Sequence, residues 1–341
     1  MARILRQVTV VRDGMHNAFT DLAYWQGAYW VSYRKGAGHI SIDGEAVLSV
    51  SVDRTRFREA ARVKMPGDNR DPKLICLDEE HLSMVFPSWI GGSEKRNLQQ
   101  YVSFSSDGFI WQEPVPILPA NHWLWRVRRH AELFYGLVYS FNSSELKERW
   151  WRLEIMTSSD LLHWQPLAYI GDPHDGMNEA DIFFRNDGEA WLISRSEVRP
   201  GQSVMAIAQP PYTDWEIVYL PTTIHCPVMT EYQGEVYLSG RRMADIEGDD
   251  TFPFLDRASL GVWRVEQGQV ERVLCIPATG DCAYPGMVVD PEGRVCLSYY
   301  SQHAYHMGVV PPPFRLEAKA PYNQGSLLTP NDVYFAELEL P

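Results

Sequence analysis

The sequence predicts an all-β chain folded as a six-bladed β-propeller, and three observations carry that reading. Phe, Trp and Tyr make up 12% of the 341 residues, beside 24 Gly and 23 Pro, and long Ala/Leu/Glu/Lys runs are missing, a balance that favours strands over helices. A strand–turn–strand pattern recurs about every 50 residues, the spacing of propeller blades. The two ends each carry a β-rich run with no hairpin partner of its own, Ile4 to Val11 and Val333 to Leu340, and pairing them closes a ring without edge strands.

The six hairpins follow in order. The first joins Tyr24-Trp25 to Tyr29–Arg34 through Gly27, and the second joins Leu74–Leu77 to Leu82–Phe86 around Glu79. The third pairs Trp125–Arg128 with Leu133–Tyr139. The fourth is the clearest: Asn178-Glu179-Ala180-Asp181-Ile182-Phe183-Phe184, an Asn-Asp-Gly turn ending at Gly188, then Trp191–Arg195. Val228–Arg241 turns at Gly234 and Met287–Tyr300 at Gly293. The blades then span roughly 12–66, 67–119, 120–171, 172–221, 222–278 and 279–341, with strand 4–11 closing the last, all within one domain.

Three units end in a Ser-x-Asp element followed by an aromatic: Ser51-Val52-Asp53 before Phe57, Ser105-Ser106-Asp107 before Trp111, and Ser158-Ser159-Asp160 before Trp164. A Ser/Asp turn that bonds its own backbone, with an aromatic plug toward the next sheet, ends a strand between blades, so the role expected here is structural. Pro311-Pro312-Pro313 to Thr329 reads as a long loop in the last blade.

A net charge of −13 argues against a nucleic-acid or anionic-membrane surface. The N-terminus has no signal-peptide h-region and no stretch is long and apolar enough to span a membrane, so the chain reads as cytoplasmic. Five Cys without a CxxC pair point to free thiols. No metal-ligand spacing is visible, and no cofactor is expected.

In a propeller the innermost strands run in one sense, so equivalent residues ring the axis on one face. Counting nine back from the hairpin turns gives Arg70, Glu179, His225 and Tyr284, and seven forward gives Arg34, Arg195, Arg241 and Tyr300. With Arg242, Asp71, Asp181, His16 and Asn17 this ring is rich in Arg for an acidic protein, which points to an anion or polyol site. Trp89, Trp123 and Trp125 offer stacking surfaces for a sugar. Glu179 and Tyr284 have the logic of a base beside a phenol nucleophile, a choice that makes sense if the carbon attacked carries a carboxylate. Asp71 is the candidate proton donor, with His39 in the Gly36-Ala37-Gly38-His39 loop behind it.

On the elements around Asp107 and Asp160, on Asn178-Glu179 followed by Arg195, and on Ala283-Tyr284-Pro285-Gly286, the chain resembles the sialidase superfamily over nearly its whole length. That resemblance implies a Glu/Tyr nucleophile pair (Glu179, Tyr284), an Asp acid/base, and three Arg around a substrate carboxylate, with Arg195 and Arg241 in two of those places. An exo-acting hydrolase of a terminal, acidic sugar is the activity implied. The departures are His16-Asn17-Ala18-Phe19 where sialidases open with Arg-Ile-Pro, and Gly36–His39 where their acid/base Asp loop lies; Arg70-Asp71-Pro72 comes one blade later. Arg70-Asp71-Pro72-Lys73 and Asn178–Asp181 are also similar to five-bladed invertase-like and arabinanase-like glycosidases, which would make Asp21 the nucleophile or base, Asp71 the transition-state stabiliser and Glu179 the acid. A non-catalytic glycan-binding propeller and a uronic-acid lyase using Tyr284 as base are further readings. The expected partner in every case is a carbohydrate.

Overall fold

A computed structural model describes residues 1–90, 97–140, 152–243, 258–306 and 329–341. Six antiparallel sheets, among the described residues, form a six-bladed propeller. From the axis outward the first blade is β2 (His16–Trp25), β3 (Ala28–Gly36), β4 (Glu45–Ser51) and β5 (Arg58–Val63). The second runs from β6 (Asp68–Asn69) and β7 (Lys73–Cys76) to β8 (Leu82–Ile90), β9 (Asn97–Ser105) and β10 (Val115–Pro116). The third spans 122–170, with β11 (His122–His130) innermost, then β12 (Leu133–Ser140), β13 (Arg152–Ser158) and β14 (Gln165–Ile170). The fourth holds β15 (Met177–Phe184), β16 (Ala190–Ser196), β17 (Ser203–Ala208) and β18 (Glu216–Leu220). The fifth holds β19 (His225–Tyr232), β20 (Glu235–Met243), β21 (Ala258–Glu266) and β22 (Gln269–Ile276). In the sixth, β23 (Ala283–Val289) and β24 (Val295–Ser301) are followed by β25 (Asp332–Glu339), which pairs with β1 (Arg3–Val11) from Arg3↔Glu339 to Val11↔Val333. The predicted ring closure is what forms. Six sheets also set aside the five-bladed architecture. The Pro311–Pro313 segment lies outside the described residues.

Alternation along the strands fills the spaces between neighbouring blades. Leu82, Met84 and Phe86 of the second blade pack with Ala46, Leu48 and Val50 of the first, for example, all nearly inaccessible to solvent. The Ser/Asp turns are built as expected: Asp107 accepts from the amides of Phe109 and Ile110, and Asp160 from those of Leu162 and His163, each at 2.8 Å. The fourth blade repeats this turn without its signature. Tyr212 takes the left-handed φ (66°) that Arg54, Gly108 and Leu161 take in the first three, and Trp215 Nε1 donates to the Tyr212 carbonyl as Trp164 does to that of Leu161, each at 3.0 Å. The aromatic plug is thus the common part of the device.

One irregularity positions the site. The innermost strand of each blade breaks its register at the same depth: between Ala18 and Asp21, between β6 and β7, and between Leu124 and Arg126, Met177 and Ala180, His225 and Val228, and Ala283 and Gly286. A bulge leaves extra residues unpaired and re-aims their side chains. Phe19, Asp71, Cys226 and Tyr284 in these bulges have φ between 42° and 59°, unusual for residues with a Cβ.

Candidate active site

The bulges bring Glu179 and Tyr284 together from two blades that are not neighbours. Tyr284 Oη donates to Glu179 Oε1 at 2.6 Å. Arg195 Nη1 reaches the same oxygen at 3.2 Å, and the Cys226 amide donates to Oε2 at 2.9 Å. The backbone donor exists because Cys226 sits in the bulge of β19 with its N–H free of the ladder. Burial, and then the Glu179 carboxylate, push the Tyr284 phenol well above its ordinary range. The phenol therefore ionises only if Glu179 takes its proton during a reaction. Phe19, Trp125 and Tyr300 pack around the Tyr284 ring at centroid distances of 5.2, 5.6 and 5.9 Å.

Arg241 lies beside this pair, its Cζ 5.0 Å from the Tyr284 ring centroid, with Nε donating to the Cys282 carbonyl at 2.9 Å. Each guanidinium of the site has a carboxylate counterpart. Arg195 is 2.9 Å from Glu197 as well as bonded to Glu179, Arg241 is 3.6 Å from Asp281, and Arg70 donates to Asp68 at 3.1 Å. Arg70 also holds the His39 carbonyl at 2.6 Å and lies over the rings of Phe19 and Trp89, on the second-blade side of the site.

Asp71 is almost fully buried, its Oδ1 without a hydrogen-bond partner. Burial pushes its carboxyl up to about 6, aided by the Glu179 charge and opposed by Arg70 and Lys73. A carboxyl so shifted can hold a proton near neutrality and give it up. Tyr139, whose phenol is likewise raised by burial, Glu179 and Asp71, stands in the same charged surroundings and stacks on Trp123.

Several residues expected on the substrate face stand elsewhere. Arg34 is inaccessible, its guanidinium donating to Asp68 at 2.6 Å, the Gly38 carbonyl at 2.7 Å and the Ser41 carbonyl at 3.2 Å; it holds the 36–41 loop from beneath. Asn17 ties β2 to Asp13 and to the Asn331 carbonyl. Asp21 lies deeper along the axis, where the Leu74 amide takes one carboxylate oxygen at 2.9 Å and Arg126 the other at 3.2 Å. Asp181 is held the same way by Arg128, and Arg242 is buried. Both hydrolase readings gave Glu179 a role, and of the two only the one that uses Tyr284 has its second member in contact with it.

The sequence reading missed Asp281, although it lies three residues before Tyr284. Its Oδ2 takes His16 Nε2 at 3.0 Å and His39 Nδ1 at 2.5 Å, and its Oδ1 accepts from the Tyr300 hydroxyl at 2.7 Å. Burial alone would raise its carboxyl, but His39 and His16 outweigh that and hold it well below the usual range. The three donor atoms lie within 4.8 Å of one another, a set of types that a divalent cation can use. Arg241 beside Asp281 and Arg70 beside His39 make the surroundings positive, which opposes a dication; the cluster reads better as a hydrogen-bonded anchor for the His39 loop.

No family model matches the chain, and no curated protein does. Solved structures do match. A protein of unknown function from Dyadobacter fermentans superposes with a TM-score of 0.77 over 100% of this chain and 99% of its own, at 15% identity. The likeness is one of fold. Phage phi92 endosialidase gives 0.69 at 10% identity, over 98% of this chain and 69% of its own, and Trypanosoma rangeli sialidase in complex with the inhibitor DANA gives 0.66 at 10%, over 98% and 58%. A β-xylosidase/α-arabinofuranosidase from a compost metagenome gives 0.53 at 14%, covering 80% of this chain. Among the described residues no helix is long and apolar enough to cross a membrane.

Proposed function

We propose that this chain is an exo-acting glycoside hydrolase of the sialidase-like type, removing a terminal acidic sugar through Tyr284 and Glu179. The observation that carries the reading is the 2.6 Å hydrogen bond from the buried Tyr284 phenol to the Glu179 carboxylate. Its likeness of fold to a sialidase and an endosialidase supports it.

In the first step Glu179 takes the phenolic proton as Tyr284 Oη bonds to the anomeric carbon, and Asp71 gives its proton to the departing oxygen. In the second, Asp71 as carboxylate takes a proton from water, the water oxygen bonds to the anomeric carbon, and the bond to Tyr284 breaks as the phenol recovers its proton from Glu179. Two displacements leave the anomeric configuration unchanged. A neutral phenol suits a carbon next to a carboxylate, because an anionic nucleophile would meet the substrate's own charge. Arg195 and Arg241 are placed to hold that carboxylate.

The test is a panel of chromogenic glycosides, including a sialoside, uronides and furanosides, against wild type, Glu179→Gln and Tyr284→Phe. Loss of about 10²- to 10⁴-fold in kcat for both variants is the expected result. Full activity in Tyr284→Phe overturns the mechanism, and an unsaturated product absorbing in the ultraviolet would replace it by a lyase.

A further inference from the structure

Tyr284 and Pro285 fill the bulge of β23 between Ala283 and Gly286, and neither has a partner in the β-ladder. Side chains from two other blades take their carbonyls: Thr20 Oγ1 donates to that of Tyr284 at 2.7 Å, and Arg126 Nη2 to that of Pro285 at 3.4 Å. Thr20 is itself in the bulge of β2, after Phe19, whose ring packs on that of Tyr284. Two consecutive residues of the first blade thus hold the ring and the main chain of one residue in the sixth. The hydroxyl of Thr20 has a fixed direction. The Gly286 amide donates to Ser298 Oγ at 3.2 Å, Ser298 Oγ donates to Thr20 Oγ1 at 3.1 Å, and the Thr20 proton goes to the Tyr284 carbonyl. This chain leaves the bulge at Gly286 and returns to it at Tyr284. Lys73 Nζ, donating to the Thr20 carbonyl at 3.0 Å, ties the arrangement to the second blade, and neither Thr20 nor Ser298 is accessible.

We propose that Thr20 is a positioning residue for Tyr284, its hydroxyl fixing the bulge where the phenol meets Glu179. The kinetic part of the proposal rests on the hydrolase reading. Tyr284 has a φ of 43°, which a residue with a Cβ keeps only where its surroundings dictate it. A carbonyl with no ladder partner and no other donor is free to turn, and the side chain turns with it. The bond from the first blade removes that freedom, so the 2.6 Å contact with Glu179 is in place before a substrate arrives. Because the hydroxyl bonds the main chain and not the phenol, its loss bears on attack rather than on binding.

The experiment compares wild type with Thr20→Val, which keeps the shape and removes the hydroxyl, Thr20→Ser, which restores it, Ser83→Ala and Tyr284→Phe. Thr20→Ala replaces Thr20→Val if the latter does not fold. Ser83 Oγ makes the same kind of buried bond, to the Ile75 carbonyl at 3.1 Å within the second blade, and its loss reports the cost to the fold alone. On a chromogenic glycoside that wild type cleaves, Thr20→Val should lose about 10- to 100-fold in kcat with KM within about threefold, and Thr20→Ser should recover most of the loss. Ser83→Ala should lower Tm and leave kcat unchanged. In NMR spectra of protein isotope-labelled at tyrosine Cζ, the signal missing from Tyr284→Phe belongs to Tyr284. It should lie downfield, as for a phenol donating to a carboxylate, and move upfield in Thr20→Val but not in Thr20→Ser or Ser83→Ala. Unchanged kcat in Thr20→Val, an equal loss in Ser83→Ala, no recovery in Thr20→Ser, or a Tyr284 signal that stays in place overturns the proposal. If Tyr284→Phe is inactive while Thr20→Val matches wild type, only this inference falls. If Tyr284→Phe is fully active, or wild type cleaves no glycoside, the hydrolase reading falls, and the Tyr284 signal in Thr20→Val still decides whether Thr20 positions the phenol.

Discussion

Glu179 serves three donors with two oxygens, taking the Tyr284 phenol and Arg195 on Oε1 and the Cys226 amide on Oε2. The arrangement fixes the carboxylate with one oxygen on the phenol that it would deprotonate. Asp71 stands at the opposite extreme, a carboxyl with a buried, unpartnered oxygen. Its cost to the fold has a definite sign. With a folded value of about 6 against an unfolded value near 3.9, the folded state holds the proton more tightly, so stability falls as pH rises through that interval and the full cost remains above it. Asp71→Asn should therefore be more stable than wild type at pH 8, by on the order of 1–3 kcal/mol, and equal to it near pH 4, while losing activity. Denaturant melts at the two pH values check this. A variant less stable at both would show that Asp71 is a structural anchor. In wild type, kcat/KM should decline above about pH 6 as Asp71 loses its proton, and a pH–rate profile without that limb removes Asp71 from the acid role.

At the scale of elements, the register break in each innermost strand decides what faces the axis. Counting from hairpin glycines reached Glu179, His225 and Tyr284, yet paired register makes Met177, His225 and Ala283 equivalent, opposite Ser196, Arg241 and Tyr300. The counts differ because the hairpin turns differ in length and because bulges add residues, neither of which periodicity reveals. Arg195 and Arg34 looked alike by spacing; one lies opposite a bulge, in the site, and the other is sealed beneath a loop. The bulge of β23 also requires close approach of backbones. A Cβ on Gly286 would lie 2.1 Å from the Leu22 nitrogen and 2.6 Å from the Asp21 carbonyl carbon, both main-chain atoms. Gly286→Ala should destabilise the fold by roughly 1–3 kcal/mol or more and lower kcat with it, because Tyr284 is two residues away. Thermal unfolding beside kinetics tests both; a variant with unchanged Tm would mean that the two strands separate easily.

For the molecule as a whole, closure by β1 joins the two ends of the chain. β1 is largely exposed and adds little core, but it covers the hydrogen-bonding edge of β25. Deleting residues 2–11 should lower Tm and produce soluble oligomers by size-exclusion chromatography, since an uncovered edge recruits other strands. A monomer of unchanged stability would show that closure is dispensable. The blade count and the closing pair were determined by the sequence alone, because apolar alternation and turn chemistry are local and repeat. That Glu179 and Tyr284 would share one face was legible for the same reason, each lying a fixed stretch from a turn, and the fold brings them into contact. Only the tertiary structure decided which charges are consumed. Arg34, Asn17 and Asp21 are spent inside the fold, Asp281 becomes a hub for two histidines and a tyrosine, and the His225 Nδ1 is left without a hydrogen-bond partner among the described residues. Those outcomes depend on contacts between blades, where distance in space has no counterpart in distance along the chain.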